Sequence, residues 1–195
     1  RIDAAGGTRV VGRIGANGVV TAVSSDGTAA IYADWGTANG RIHMTTLGSD
    51  PVAAPLPTDA NQESYEQAGD LSPDGQWLAY ISNRTGREEV FLRRLDGASG
   101  QWQVSTHGGG GLRWGRGGTE LFFVEDEVLK SVRVTAEGND LVLGQPVSLF
   151  EPPTSPAELT FRDYSYDPKS DRFLFTRPPA GTDERREVAL SIGWG

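Results

Sequence analysis

Apolar residues along this chain occur in short runs, and four of these runs follow a similar segment of small and polar residues. The segments with their runs read SSDGTAAIY, SPDGQWLAY, GRGGTELFF and DPKSDRFLF, and they end at Tyr32, Tyr80, Phe123 and Phe175. Asp26-Gly27 and Asp74-Gly75 favour hairpin turns, because glycine accepts a positive φ and aspartate bonds its own backbone. Each phrase therefore predicts two antiparallel strands joined by a tight turn.

The closing aromatic residues recur at intervals of about 40–50 residues, which is the period of propeller blades. The runs AAIYA, WLAYI, ELFFV and RFLFT are apolar at consecutive positions, as expected for sheets that are covered on both faces. Radially stacked blades provide that double coverage. The predicted fold class is therefore all-β, a β-propeller made of about four four-stranded blades.

The segments between the turns predict blades at residues 15–57, 64–106, 111–150 and 160–195, within a single module that spans residues 1–195. A lone strand is expected at residues 8–14. Two interpretations of this strand stay open. It completes the last blade, which lacks a fourth strand of its own, or it belongs to a preceding blade.

Charge and composition exclude several function classes. The net charge of −8 argues against a nucleic-acid surface, which needs clustered cations. Lys130 and Lys169 are the only lysines, and the arginine pairs Arg93-Arg94 and Arg185-Arg186 lie beside acidic residues, so these pairs are expected to be solvated strand ends. Because the chain has no cysteine, disulfides and thiolate metal sites are excluded.

The chain has no obvious membrane segment, since no apolar run approaches the ~20 residues of a membrane span. No membrane contact is therefore expected from this segment itself. The chain begins with Arg1 and its only methionine is Met44, so we expect an excerpt or a processed product of a longer protein.

The motifs of common catalytic chemistry are missing from the sequence, including the Gly-x-Ser-x-Gly elbow and the glycine-rich phosphate loops. His43 is expected in mid-strand and His107 in a loop, with Gly108–Gly111 as a link between blades. Glu125–Glu127 are expected to form a solvated turn, because three adjacent carboxylates on a hairpin cannot all face one ion. The sequence predicts no catalytic, cofactor-binding or metal-binding residue and no cofactor.

Five tryptophans occur along the chain. Trp77 and Trp114 lie inside the repeated phrases and are expected to pack between blades. Trp35 and Trp194 are the better candidates for exposure, and whether they form a sugar-stacking surface stays open.

A family resemblance lies in the segment from Leu71 to Val124, which carries the SPDG turn and the WLAYISN, EVFLRRL and QWQVST strands in a fixed order. In that order they resemble the TolB-type, WD40-like propeller. They are most similar to the copy at the C-terminal end of bacterial membrane-anchored serine/threonine kinases and related sensor proteins. GRGG and DPKSD depart from the usual SPDG turn. Members of the family have more blades than the four expected here, which implies a partial ring of a larger propeller or a ring closed by dimerisation.

The resemblance implies a non-catalytic module for protein, peptide or ligand recognition, the sensor or scaffold part of a larger bacterial protein. The alternative is an accessory propeller of a prolyl-oligopeptidase-like peptidase or of a glycan-active enzyme, which gates or binds substrate. The expected partners are a protein or peptide and a second copy that closes the ring, with no nucleic acid. An extracytoplasmic location, periplasmic or at the cell surface, is expected if the parent is a membrane-anchored kinase or a TolB-like protein, and a cytoplasmic one otherwise.

Overall fold

Strands make up almost all of the regular structure. The computed structural model describes residues 14, 17–36, 40–48, 52–56, 64–96, 100–153, 164–177 and 187–192. Within these ranges the chain forms sixteen β-strands and one 3₁₀ turn, Arg116–Gly118. No helix in the described residues is long and apolar enough to cross a lipid bilayer.

The strands form four antiparallel sheets in chain order. The first sheet contains β1 (Gly18–Val23), β2 (Ala29–Asp34), β3 (Arg41–Thr46) and β4 (Ala53–Pro55). The second contains β5 (Glu66–Leu71), β6 (Trp77–Ser82), β7 (Glu89–Arg94) and β8 (Gln101–Gln103). The third contains β9 (Gly110–Gly115), β10 (Glu120–Glu125), β11 (Val128–Glu137), β12 (Asp140–Leu143) and β13 (Val147–Phe150). The fourth contains β14 (Tyr164–Asp167), β15 (Arg172–Arg177) and β16 (Glu187–Ile192).

Successive sheets pack face to face, and a separate apolar cluster lies between each pair. Ile31 of the first sheet packs with Tyr80 of the second, and Trp77 of the second sheet packs with Phe123 of the third. Phe122 of the third sheet lies in a further cluster with residues of the fourth. The predicted all-β propeller architecture is confirmed, and Trp77 and Trp114 pack between blades as expected.

The first strands of neighbouring sheets contact one another, as expected for sheets arranged radially around an axis. The Gly69 N–H on β5 donates to Thr21 Oγ1 on β1 at 3.2 Å. The Trp114 N–H on β9 donates to Asp70 Oδ2 on β5 at 2.9 Å. Each of these three strands also contains an irregular register step, and such bulges increase the local twist of a strand.

One edge of the sheets, which we call the turn face, carries the turns between the first and second strands. In Ser24–Thr28 and Ser72–Gln76 the aspartate accepts the N–H of the residue two positions later at 3.0 Å, and the next glycine has a φ of 71° or 70°. The two Asp-Gly predictions are therefore confirmed. Neighbouring turns also contact each other, since Arg116 Nη2 lies 3.2 Å from Asp171 Oδ2 of the fourth sheet.

The third sheet differs from the prediction of four strands. β11 is ten residues long and pairs with β13 near its beginning and with β12 near its end. The β11–β12 hairpin reaches the second sheet, where Trp102 Nε1 donates to Asp140 Oδ1 at 3.1 Å. The lone strand expected at residues 8–14 lies outside the described residues, apart from Ile14.

An ion network fills the side of the second sheet that faces the first. Glu66 is fully buried, and its carboxylate lies 3.1 Å from Arg84 Nη2 and 3.1 Å from Arg93 Nη1. The Arg93 guanidinium also stacks over the Tyr80 ring at 4.6 Å. The expectation that Arg93 is a solvated strand end is wrong, because its charge is neutralised by a glutamate on a different strand. Arg185-Arg186 lies outside the described residues.

We predict that Glu66→Ala lowers the free energy of unfolding by about 3–5 kcal/mol, because it leaves two guanidinium groups without their shared carboxylate in a buried site. Urea unfolding followed by tryptophan fluorescence measures this loss. Glu137→Ala is the control, since Glu137 is exposed, and it should change stability by no more than about 0.5 kcal/mol. Similar losses for the two variants would contradict the assignment of a buried network.

Candidate functional site

The edge opposite the turn face, which we call the loop face, carries a cleft between the second and third sheets. Its volume is about 470 Å³. It lies between the β6–β7 connection, the connector 104–109 and the β10–β11 turn, and we call it the interblade cleft. Arg87, Glu88, His107, Gly108–Gly110 and Val124–Glu127 line it.

Buried Glu89 fixes the connector from the second sheet. Its Oε1 accepts the Gly108 N–H at 3.1 Å and Arg87 Nε at 2.6 Å. Its Oε2 accepts the hydroxyl of Ser105, which in turn accepts the Val90 N–H at 2.8 Å. The connector is irregular backbone, so its N–H groups have no neighbouring strand to bond. The buried Glu89 carboxylate accepts one of these N–H groups instead.

Glu125 fixes the same connector from the third sheet. It accepts the N–H groups of Thr106 at 2.7 Å and His107 at 2.9 Å, and the Lys130 ammonium at 2.7 Å. Burial alone would raise the pKa of Glu125, but the hydrogen bond from Lys130 and those from the two amides outweigh it and lower the pKa. The expectation that Glu125 belongs to a solvated acidic turn is wrong, because its side chain is buried among these donors.

Asp126 and Glu127 form the two-residue turn between β10 and β11, and both are exposed. Their φ angles are 51° and 66°, a left-handed conformation that favours glycine and costs other residues about 1–2 kcal/mol each. The turn therefore holds two carboxylates at the mouth of the cleft at some cost in stability.

Aromatic side chains extend the loop face toward the first sheet. The Trp35 ring is 39% exposed and lies 6.2 Å from the Tyr65 ring. Tyr65 donates its hydroxyl to Glu88 Oε1 at 2.5 Å. Burial, together with this hydrogen bond, raises the pKa of Tyr65 to about 12. Trp35 is exposed as expected, and Trp194 lies outside the described residues.

The interblade cleft is strongly acidic. Its lining has four carboxylates and one arginine, a net charge of −3 with histidine neutral. Arg87 is paired with buried Glu89 and Glu125 with Lys130, so this charge resides on the three exposed carboxylates, those of Glu88, Asp126 and Glu127. A surface of this sign attracts a positively charged partner.

Three residues of metal-ligating type meet at the cleft, since ligand atoms of His107, Glu125 and Asp126 lie within 4.8 Å of one another. Both oxygens of Glu125 are already hydrogen bonded, one of them to the Lys130 ammonium. A cation would have to displace that ammonium. The cluster is therefore better suited to fixing the connector than to holding a metal ion.

The two histidines are far from forming a catalytic set of the serine-hydrolase kind. His43 stacks on Tyr32 with ring centroids 5.0 Å apart, at mid-strand as expected. His107 lies in the connector, as expected, with its Nδ1 3.0 Å from Thr106 Oγ1. In the part of the chain that the structure describes, neither imidazole is hydrogen bonded to a serine hydroxyl.

No known protein-family profile matches the chain, and no curated protein matches it. Solved structures do match it, and their architecture defines the class as a β-propeller. TolB from Acinetobacter baumannii has a TM-score of 0.57 and 15% identity over 89% of this chain and 40% of its own. A protein named as TolB from Agrobacterium tumefaciens has a TM-score of 0.50 and 19% identity over 69% and 51% of the two chains.

A third match is a protein named as a 6-phosphogluconolactonase from Bacteroides uniformis, with a TM-score of 0.53 and 16% identity over 90% of this chain and 55% of its own. At these identities the likeness concerns the fold, and the chain has a TolB-like β-propeller fold. It spans about half the length of the structures that it matches.

We predict that Glu125 makes stability depend on pH in the acid range. The folded-state pKa of Glu125 is lowered, whereas an unfolded glutamate titrates near ~4.3. Its stabilising contribution is therefore complete above about pH 4.3 and is lost as the pH falls through the lowered folded-state pKa. Urea unfolding of the wild type and of Glu125→Gln at a series of pH values should show a difference that shrinks in acid.

Glu127→Gln is the control for this titration, because Glu127 is exposed on the same turn. Its difference from the wild type should stay small across the series. A Glu125→Gln difference that is constant with pH would contradict the role assigned to this carboxylate.

Proposed function

We propose that this chain is a recognition module without chemistry of its own, which binds a positively charged segment of a protein or peptide partner on its loop face. The observation that carries the proposal is the net charge of −3 on the lining of the interblade cleft. Arginine and lysine side chains form strong, charge-assisted hydrogen bonds with carboxylates. The cleft offers several carboxylates within one concave surface.

The cleft is preorganised for binding. Buried Glu89 and Glu125 hold the connector from both sides, so little loop freedom is left to lose when a partner binds. Preorganisation of this kind increases affinity by reducing the entropic cost of association.

The aromatic residues beside the cleft support the same partner chemistry. Trp35 is exposed and lies against Tyr65, and an aromatic face attracts a guanidinium or ammonium group. Tryptophan and tyrosine are also enriched among the residues that dominate binding energies at interfaces. A segment that places one cation in the cleft and a second over Trp35 would use both features.

We also propose that residues 1–195 are a single module and act as the sensor or scaffold part of a larger bacterial protein. The resemblance of residues 71–124 to the propellers of membrane-anchored serine/threonine kinases supports this assignment, and it would place the loop face outside the cytoplasm. The name of the Bacteroides protein gives no reason to propose a lactonase activity for this chain, because a shared fold does not imply a shared function.

Fluorescence anisotropy with labelled peptides tests the proposal. An arginine- and lysine-rich peptide should bind, and a glutamate-rich peptide of the same length should not. Glu127→Gly should weaken binding of the cationic peptide about two- to fivefold, the effect of losing one exposed ion pair. The same change should stabilise the fold by about 1 kcal/mol, because glycine adopts a positive φ without a Cβ clash.

Loss of binding by a variant that is more stable than the wild type cannot be attributed to unfolding. Glu137→Gln removes one charge from an exposed residue at the end of β11, outside the interblade cleft, and should leave binding unchanged. Equal binding of the cationic and anionic peptides, or equal effects of the two substitutions, would refute recognition by the loop face.

We further propose that two copies associate through their end sheets to close a ring. Val23 on β1 is 54% exposed and Leu174 on β15 is 43% exposed. By strand alternation both face away from the neighbouring sheet, since Ile31 and Phe173 pack toward it. The chain spans about half the length of the matched structures.

Light scattering coupled to size-exclusion chromatography should give twice the mass of one chain. Leu174→Glu should convert the dimer to a monomer, because it places a charge in an apolar contact. Val147→Glu is the matched control, since Val147 is 57% exposed on the third sheet, and it should leave the dimer intact. A wild type that is monomeric at high concentration would contradict ring closure by two copies.

A further inference from the structure

A second cleft lies on the outer rim of the molecule and shares no residue with the interblade cleft. Its volume is about 450 Å³, and Gly100, Gln101, Trp102, Glu137, Asn139 and Asp140 line it. One wall comes from β8 of the second sheet and the other from the β11–β12 hairpin. Clefts of this size accommodate small molecules.

The Trp102 ring is held in a fixed orientation at the base of this cleft. Its Nε1 donates to Asp140 Oδ1 at 3.1 Å, and the Trp77 ring lies against it at 5.5 Å with an interplanar angle of 76°. Trp102 nevertheless remains partly exposed. An aromatic ring fixed in this way presents an apolar surface without losing side-chain freedom on binding.

Glycine at position 100 lets the backbone lie directly against the six-membered part of the Trp102 ring. A Cβ at Gly100 would lie 2.4 Å from Trp102 Cη2 and 2.9 Å from Cζ2. Gly100 also has a φ of 146°, which residues with a side chain rarely adopt. A residue with a side chain at this position would therefore displace the Trp102 ring from its orientation.

The polar groups around the ring retain unused hydrogen-bonding capacity. Asp140 Oδ1 accepts both Trp102 Nε1 and the Leu141 N–H, which leaves Oδ2 as an acceptor. Asn139 Oδ1 accepts Arg94 Nη1 at 3.3 Å, which leaves the amide nitrogen as a donor. Within the described ranges the Glu137 carboxylate forms no hydrogen bond or ion pair. Two carboxylate acceptors and one amide donor thus surround an aromatic surface.

We propose that this rim cleft binds the pyranose ring of a saccharide. A pyranose has an apolar C–H surface that packs on an aromatic ring, and its hydroxyl groups donate to carboxylates and accept from amides. These three contacts come from the Trp102 ring, the Asp140 carboxylate and the Asn139 amide. The site lies outside the loop face, so it is independent of peptide recognition there.

Proton–nitrogen correlation spectra test the proposal with glucose, galactose and N-acetylglucosamine as probes. Binding should shift the Trp102 indole N–H signal in a saturable way with at least one of these sugars. Glycerol, a polyol without a ring, and tetramethylammonium, a cation without hydroxyls, are the control ligands and should cause no saturable shift.

Two variants test which residues carry the binding. Glu137→Gln changes an exposed side chain and should weaken sugar binding at least tenfold while the spectrum of the free protein stays intact. Gly100→Ala places a Cβ against the Trp102 ring, so the ring must leave its orientation, and the change should abolish binding. Glu127→Gln on the loop face is the matched control and should bind sugar like the wild type.

Three results would overturn the proposal. They are the absence of a saturable shift with all three sugars, an equal response to tetramethylammonium, and unchanged binding in both Glu137→Gln and Gly100→Ala. Peptide binding on the loop face would be unaffected by any of them, so a failure here is distinct from a failure of the proposed function.

Discussion

The architecture depends on the burial of the second strand of each central sheet from both sides. β6 is buried at all six positions, and its residues alternate between two clusters. Leu78 and Tyr80 pack toward the first sheet, and Trp77, Ala79 and Ile81 pack toward the third. A strand with this pattern is stable only between two other sheets, because either exposed face would present a large apolar surface to water. The repeated apolar runs therefore determine the stacking of the sheets.

Stacking the sheets leaves the connector between the second and third sheets as irregular backbone at a partly buried edge, where its N–H groups need acceptors. Glu89 and Glu125 provide these acceptors for the connector 104–109. The fold therefore requires acceptors at these two positions, and the two carboxylates that provide them also support the interblade cleft. The same groups stabilise the array and fix the geometry of the surface that we propose for recognition.

Local patterns predicted the strands and the Asp-Gly turns because both depend on residues adjacent in the chain. The partners of Arg93 and Glu125 could not be predicted in this way. Arg93 contacts Glu66, 27 positions earlier, and Glu125 accepts the N–H of Thr106, 19 positions earlier. Only the stacking of sheets brings these groups together. The β12 strand was missed although Gly138, with a φ of 64°, is a recognisable hairpin signal between apolar segments.

The turn Asp126-Glu127 has two consecutive residues other than glycine at positive φ. On the turn face, the glycines of Ser24–Thr28 and Ser72–Gln76 occupy the positive φ positions, whereas the other two turns each have one such residue, Arg116 with a φ of 40° and Asp171 with a φ of 53°. On the loop face two acidic residues occupy such positions, where glycine would be more stable. A strained conformation persists only where the surrounding structure determines it, and it is common at binding sites. Here the neighbouring Glu125 is tied to two connector amides and to Lys130, which fixes the start of the turn. These contacts therefore hold the two carboxylates at the mouth of the cleft in spite of the strain. Their negative charge, and not the stability of the turn, explains why acidic residues occupy these two positions.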